Sequence, residues 1–223
     1  MIYKTIPKSV IERIPIYLNY LNKIDEDGLI SSTTIAQQLG LGEVQVRKDL
    51  NLISGKGKPK VGYQVSNLKS DLNKLIFDDK LINVVIIGAG KIGSALAKYH
   101  GFNENSFNIV GIFDNSPEKI GRTINDKKIL SIDEMSSFCL TNDVKMAIIC
   151  VPHDSAQSVC DEIINCGVKG ILNFTDQKLN IPNDVKIRNV DIVSLLITLA
   201  VEINNNWKGV EFTWKKIMKL LIV

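Results

Sequence analysis

The run Val84-Val85-Ile86-Ile87 stops abruptly at Gly88-Ala89-Gly90-Lys91-Ile92-Gly93, and a helical pattern, Ser94–Tyr99, follows at once. Few folds accept such a segment. An unbroken β-branched run reads as a strand covered on both faces, which points to a parallel sheet. Three glycines at this spacing, between a strand and a helix, form the turn that brings a pyrophosphate onto a helix N-terminus. Gly88 makes the tight turn, Gly90 admits the phosphates to the backbone, and Gly93 lets the helix lie on the sheet.

The rest of the C-terminal two thirds keeps that rhythm. Apolar strands are expected at 82–87, 108–113, 145–151, 168–173 and 185–189, with helices at about 91–101, 133–139, 154–166 and 191–206. This alternation predicts a doubly wound α/β sheet of the Rossmann type. The second strand ends at Asp114, 21 residues past Gly93. A carboxylate there accepts from ribose hydroxyls and repels a 2′-phosphate, so NAD(H) is favoured over NADP(H), although Lys119 and Arg122 close by soften that exclusion. The residues expected to hold the nucleotide are Gly88, Ala89, Gly90, Lys91, Ile92 and Gly93, then Asp114, Asn115 and Lys119. Val151 and Pro152 join them from the carboxyl edge of the sheet.

The first third differs. The chain carries a net charge of +3, and all of that excess falls within residues 1–80. Seven basic residues stand against two acidic ones between 44 and 74, the balance of a polyanion site. Val10, Ile14, Tyr17, Leu18 and Leu21 form one helical stripe, interrupted by Pro15, which either kinks the helix or marks its start. Ser31 to Gly40 reads as a capped helix of about two turns. Leu41-Gly42 turns the chain into a second helix, 43–53, with Val46, Leu50 and Ile53 inward and Gln45, Arg47, Lys48 and Asn51 outward. That is a helix-turn-helix whose second helix suits a major groove. The glycine- and lysine-rich loop after it, with Lys56, Lys58 and Lys60, reads as a wing whose lysines neutralise phosphates. A short amphipathic helix, 67–80, leads into the sheet domain. The domains are therefore expected at 1–80, 81–190 and 191–223.

Other classes fit poorly. No apolar run approaches the roughly 18 residues of a membrane span, and Met1 to Pro7 lacks an apolar signal core, so a cytoplasmic protein is expected. Cys139, Cys150, Cys160 and Cys166 show neither a disulfide framework nor zinc-ligand spacing, and no metal site is expected. An oxidoreductase would need a proton donor beside a nicotinamide. His100 reads as a surface or packing residue, and His153, at a strand end, has no second polar cluster or separate substrate domain beside it. No catalytic residue is assigned. A small NAD-dependent oxidoreductase with a helical appendage is the alternative function.

Several motifs, in order, resemble the Rex family of bacterial redox-sensing transcriptional repressors over about residues 6–206. They are Val46-Arg47-Lys48-Asp49-Leu50, Val61-Gly62-Tyr63, the glycine turn, Tyr99-His100-Gly101-Phe102, Phe113 to Gly121, Val168 to Phe174, and Asn189-Val190-Asp191. The resemblance implies a homodimer on palindromic, double-stranded operator DNA, with NADH and NAD as effectors and NADH releasing the DNA. It implies a C-terminal helix, near 191–206, exchanged between subunits. It places Tyr99 and Asp191 in an interdomain polar switch, and Ile192 near the nicotinamide. The family's arginine partner in that switch falls at Asn19. Residues 207–223 extend past the resemblance and read as an extra amphipathic helix.

Overall fold

The computed structural model describes residues 6–58, 61–77 and 80–203. It divides into two compact units, Met1–Lys80 and Leu81–Val223.

The N-terminal unit opens with α1 (Lys8–Ile11) and α2 (Ile14–Leu21). Pro15 sits in the first turn of α2, where its missing N–H has no helical partner to lose, so the proline marks a start and the stripe is split. Next come β1 (Leu29–Ile30), α3 (Ser32–Leu39), α4 (Glu43–Ser54), β2 (Tyr63–Gln64) and α5 (Val65–Phe77). The Ser31 hydroxyl caps α3 by accepting from the Thr34 N–H at 3.0 Å, and left-handed Gly40 ends it. Tyr17, Leu21, Ile35, Val46, Leu50, Leu68 and Leu72 meet in one buried core. Each such aliphatic side chain contributes about 2 kcal/mol of burial. β1 pairs antiparallel with β2, Ile30 opposite Tyr63, so the loop between α4 and β2 is pinned at its base as a wing. The expected β-like run after the loop shrinks to these two residues, and β1 has no counterpart in the sequence reading. Lys60 lies outside the described residues.

The second unit contains β3 (Ile82–Ile87), α6 (Lys91–Ala97), α7 (Gly101–Glu104), β4 (Phe107–Asp114), β5 (Thr123–Ile124), β6 (Lys127–Ser131), α8 (Met135–Thr141), β7 (Met146–Ile149), α9 (His153–Asn165), β8 (Gly170–Asn173), β9 (Lys186–Asn189) and α10 (Ile192–Ile203). The sheet order is β5-β6-β4-β3-β7-β8-β9, parallel except for the β5–β6 hairpin. The winding therefore reverses between β3 and β7, the place where open α/β sheets bind ligands. Alternation along β3 serves two cores. Val85 and Ile87 pack with α8 and α9, whereas Val84 and Ile86 pack with Ala97 of α6. The helix expected at 91–101 ends at Ala97, and a separate turn of helix begins at Gly101. The expected α10 is described to Ile203; the tail 207–223 lies outside the described residues. Among the described residues no helix is long and apolar enough to cross a membrane.

Candidate functional site

The glycine turn sits at the carboxyl end of β3, at the switch between β3 and β7. Gly88 has φ +99° and its missing Cβ would stand 2.5 Å from the Cys150 carbonyl oxygen. A Cβ on Gly93 would stand 1.9 Å from the Gly88 carbonyl oxygen, so only glycine lets α6 lie this close to the turn. Gly90 differs: nothing lies within 4 Å of its Cβ position, and the space beside it is open to a ligand.

A cavity of about 360 Å³ opens there, lined by Gly88, Gly90, Asp114, Asn115, Lys119, Val151 and Pro152 among the expected residues. Cys150 and Ser155 also line it and were not foreseen. A second cleft, of about 650 Å³, is lined by Ile92, Phe174, Thr175, Gln177, Asp191 and Ile192. Gly90 borders the first and Ile92 the second, so the glycine turn stands between two cavities, as a dinucleotide requires. Ala89, Lys91 and Gly93 line neither cavity, and Gly93 acts through packing.

Asp114 is 6% exposed. Its Oδ2 accepts from the Ala89 N–H at 2.8 Å and from Lys119 Nζ at 3.1 Å, and its Oδ1 accepts from the Ser116 N–H at 2.8 Å. Burial alone pushes this carboxyl up, but the Ser116 N–H, the Lys119 ammonium and the Ala89 N–H outweigh it and hold it below the usual carboxylate range. Counting two acceptor sites per oxygen, one on Oδ1 remains for a ribose hydroxyl. The sequence pointed to Asp114 as a ligand-facing acid; the structure adds that it ties the glycine turn to the end of β4.

Burial raises the cysteine thiols, to about 12 at Cys150, to about 12 at Cys139 with Cys166 beside it, and to about 11 at Cys160. These are weak nucleophiles at neutral pH. At the N-terminus of α9, His153 Nδ1 lies 2.8 Å from Asp176 Oδ1 in an exposed pair. Tyr99 is 64% exposed and packs edge-on against Phe102. Asp191 caps α10, accepting from the Ser194 N–H at 2.9 Å and its hydroxyl at 2.5 Å, and these bonds hold its carboxyl below the ordinary range. Tyr99 lines neither cavity.

In the first unit, α3 and α4 form the helix-turn-helix. Arg47, Lys48 and Asn51 are exposed on α4, Gln45 is half-buried, and Lys56 and Lys58 are exposed on the wing. Asp49, between these outward residues, is 3% exposed. It holds Arg13 in a two-pronged ion pair, Nε to Oδ2 at 2.6 Å and Nη2 to Oδ1 at 2.9 Å, and accepts from the Tyr17 hydroxyl at 2.6 Å. The Asp49 carboxylate raises Arg13, and burial together with that carboxylate raises the Tyr17 phenol. This network was missed. Its one sequence signal is an acid on the buried stripe Val46, Asp49, Leu50, Ile53, a position that demands a cation. Asn19, where the resemblance expects arginine, is exposed on α2.

Two family models match: "CoA binding domain" over residues 79–177, and "Putative DNA-binding protein N-terminus" over residues 5–51. The redox-sensing transcriptional repressor Rex of Carboxydothermus hydrogenoformans is 40% identical over 203 residues, 90% of this chain and 98% of the relative. That of Clostridium perfringens is 37% identical over 205 residues, 91% of this chain and 97% of the relative. The crystal structure of RSP in complex with beta-NAD+ and operator DNA matches with a TM-score of 0.80 at 33% identity, covering 97% of this chain and 96% of that one. RSP in complex with beta-NADH matches with a TM-score of 0.78 at 32% identity, covering 97% and 99%. With relatives of this identity over nine tenths of its length, the chain belongs to the Rex family of redox-sensing transcriptional repressors.

Proposed function

We propose that this chain is a cytoplasmic repressor that binds palindromic operator DNA as a homodimer and leaves it when NADH occupies the glycine-turn clefts. Residues 1–80 are the winged-helix DNA-binding domain, 81–190 the NAD(H)-binding domain, and 191–223 the dimerisation segment. The observation that carries the reading is the joining, in one chain, of a basic helix-turn-helix to a β3–glycine–α6 turn flanked by two open cavities. The oxidoreductase alternative gives way to relatives that span almost the whole chain and are named transcriptional repressors.

Arg47 and Lys48, with Gln45 and Asn51, contact base edges from α4, and Lys56, Lys58 and Lys60 contact phosphates from the wing. NAD(H) lies over Gly88 to Gly93, its adenosine end beside Asp114, Asn115 and Lys119 and against Val151 and Pro152. The backbone N–H groups of the turn bind the pyrophosphate, and nicotinamide supplies the redox information. Asp114 is the residue that disfavours a 2′-phosphate. The homodimer reading is supported by α10, an apolar helix with no buried residue, and by a mainly apolar cleft lined by Phe102, Phe107, Met146 and Leu172, none of them buried. A surface of that kind needs a partner.

Fluorescence anisotropy with operator duplex, with and without NADH or NAD, tests the reading. NADH should weaken DNA binding by about 5–150-fold, and operator should weaken NADH by the same factor, because coupling of equilibria is reciprocal. Operator affinity indifferent to NADH would overturn it.

A further inference from the structure

The two amides of α4 turn their oxygens to partners inside their own unit. Glu43 accepts from the Thr33 hydroxyl at 2.9 Å. The Gln45 amide lies against Arg13, and with its oxygen assigned to that side it accepts from Nε at 3.0 Å and Nη1 at 2.9 Å. A guanidinium has donors only, so an amide that meets it must present oxygen. Asp49 is buried against Arg13 and Tyr17. Asn51 Oδ1 accepts from the Tyr63 hydroxyl at 3.0 Å, and Ser54 is bound to Asp71. Past its first turn, where Glu43 keeps a second oxygen, α4 offers the NH₂ groups of Gln45 and Asn51, the Arg47 guanidinium and the Lys48 ammonium. Arg47 and Lys48 are exposed, and no carboxylate pairs with either among the described residues. Val44, one turn before Lys48, is an exposed apolar side chain among them.

In the major groove, guanine shows two acceptors, and thymine shows one acceptor and a methyl group. Adenine shows one acceptor, N7, beside its amino donor, and cytosine shows an amino donor. Resting on the operator-binding reading above, we infer that α4 reads its operator through the donors of Gln45, Arg47, Lys48 and Asn51, its two amides giving N–H and not oxygen. It selects guanine N7 and O6 and thymine O4, with Val44 against the thymine methyl. It does not make the two-bond amide-to-adenine pairing: Arg13 fills both acceptor sites of the Gln45 oxygen, and the Tyr63 hydroxyl stands against the Asn51 oxygen. Arg13 and Tyr63 are thus positioning residues: neither need touch DNA, and each sets the polarity of an amide that does.

The test selects duplexes from a random library with the full-length protein, without nucleotide, and remakes the enriched duplex with single base analogues. Replacing a contacted guanine by 7-deazaguanine, which lacks N7, should weaken binding about tenfold. Replacing any adenine of the half-site by nebularine, which lacks the 6-amino group, should leave affinity unchanged. A nebularine substitution that weakens binding about tenfold in the wild type, but not in Gln45→Ala or Asn51→Ala, would overturn the inference. Two variants sharpen it. Gln45→Glu keeps an oxygen for Arg13 and removes the donor, so it should fold normally and lose discrimination at one base pair. Tyr63→Phe frees the Asn51 oxygen, so its selected sequences should gain adenine at one position. An unchanged profile in Tyr63→Phe would remove Tyr63 from the mechanism. Enrichment of no duplex at all would instead bring down the operator-binding reading itself, and this inference with it.

Discussion

Three polar residues of the described chain are buried, Asp49, Asp114 and Asn173, and each joins segments distant in sequence. Asp49 ties α4 to the start of α2, and Asp114 ties the glycine turn to the end of β4. Asn173 donates to the Gln177 carbonyl oxygen at 3.0 Å and to Asn189 Oδ1 at 2.9 Å, and accepts from Thr175, which shapes the second cleft. Removing one member of a buried ion pair leaves the other without compensation. Asp49→Asn should therefore destabilise the N-terminal unit by about 3 kcal/mol and weaken DNA binding, read by thermal melting and anisotropy. Asp114 titrates below its unfolded value of about 3.9, so its stabilising contribution is complete above that pH and is lost as pH falls through the folded value. Urea melts should show Asp114→Asn losing stability at neutral pH and responding less steeply than wild type below about pH 4.

At the level of elements, the proposed function divides the work of binding between the wing and α4. α4 presents Arg47 and Lys48 from a helix held at both ends, by Arg13 at its first turn and by Tyr63 and Asp71 at its last. Arg47→Ala should lower operator affinity by about 1–3 kcal/mol and relax preference at one base pair. Lys56→Ala and Lys58→Ala should weaken specific and nonspecific DNA alike, each lowering the salt dependence by about one unit of slope. Salt titrations on operator and random duplexes separate the two classes. The β5–β6 hairpin shows how an element is overlooked. Asn125 and Asp126 both take positive φ in its two-residue turn, a known turn signal, but the flanking strands are too short for periodicity to register.

At the scale of the molecule, the proposed function depends on a dimer that responds to nucleotide. Leu196 is 60% exposed on α10, so Leu196→Asp should convert the proposed dimer to monomer in sedimentation and abolish binding to the palindrome, while each unit keeps its fold. Coupling needs two arrangements that bind NADH differently. Asp191 lines the second cleft and caps α10, so it stands at the junction of that cleft and the helix. Tyr99→Phe and Asp191→Ala should bind NADH with near wild-type affinity in calorimetry yet release operator poorly. Wild-type release in both would move the switch elsewhere. With Asn19 in the arginine position, a switch through Asp191 would need another partner than the one the resemblance implies.

Local chemistry alone determined much of this protein. Strand β3, its glycine turn, the acid at the end of β4, the two helices of the basic unit and the outward Arg47 and Lys48 follow from periodicity, glycine spacing and charge over short windows. Those signals lie within one or two elements, so a linear reading captures them. The partners of the buried acids lay beyond that reach: Arg13 is 36 residues from Asp49, and Ala89 is 25 from Asp114. The same holds for β1, whose two residues become a strand only because Tyr63 and Gln64 return beside them. Whether Gln45 and Asn51 offer oxygen or nitrogen to a ligand is likewise invisible in the chain order. It is decided by which donors the fold brings against them, because an amide is symmetric in shape but not in charge, and only its neighbours choose its direction.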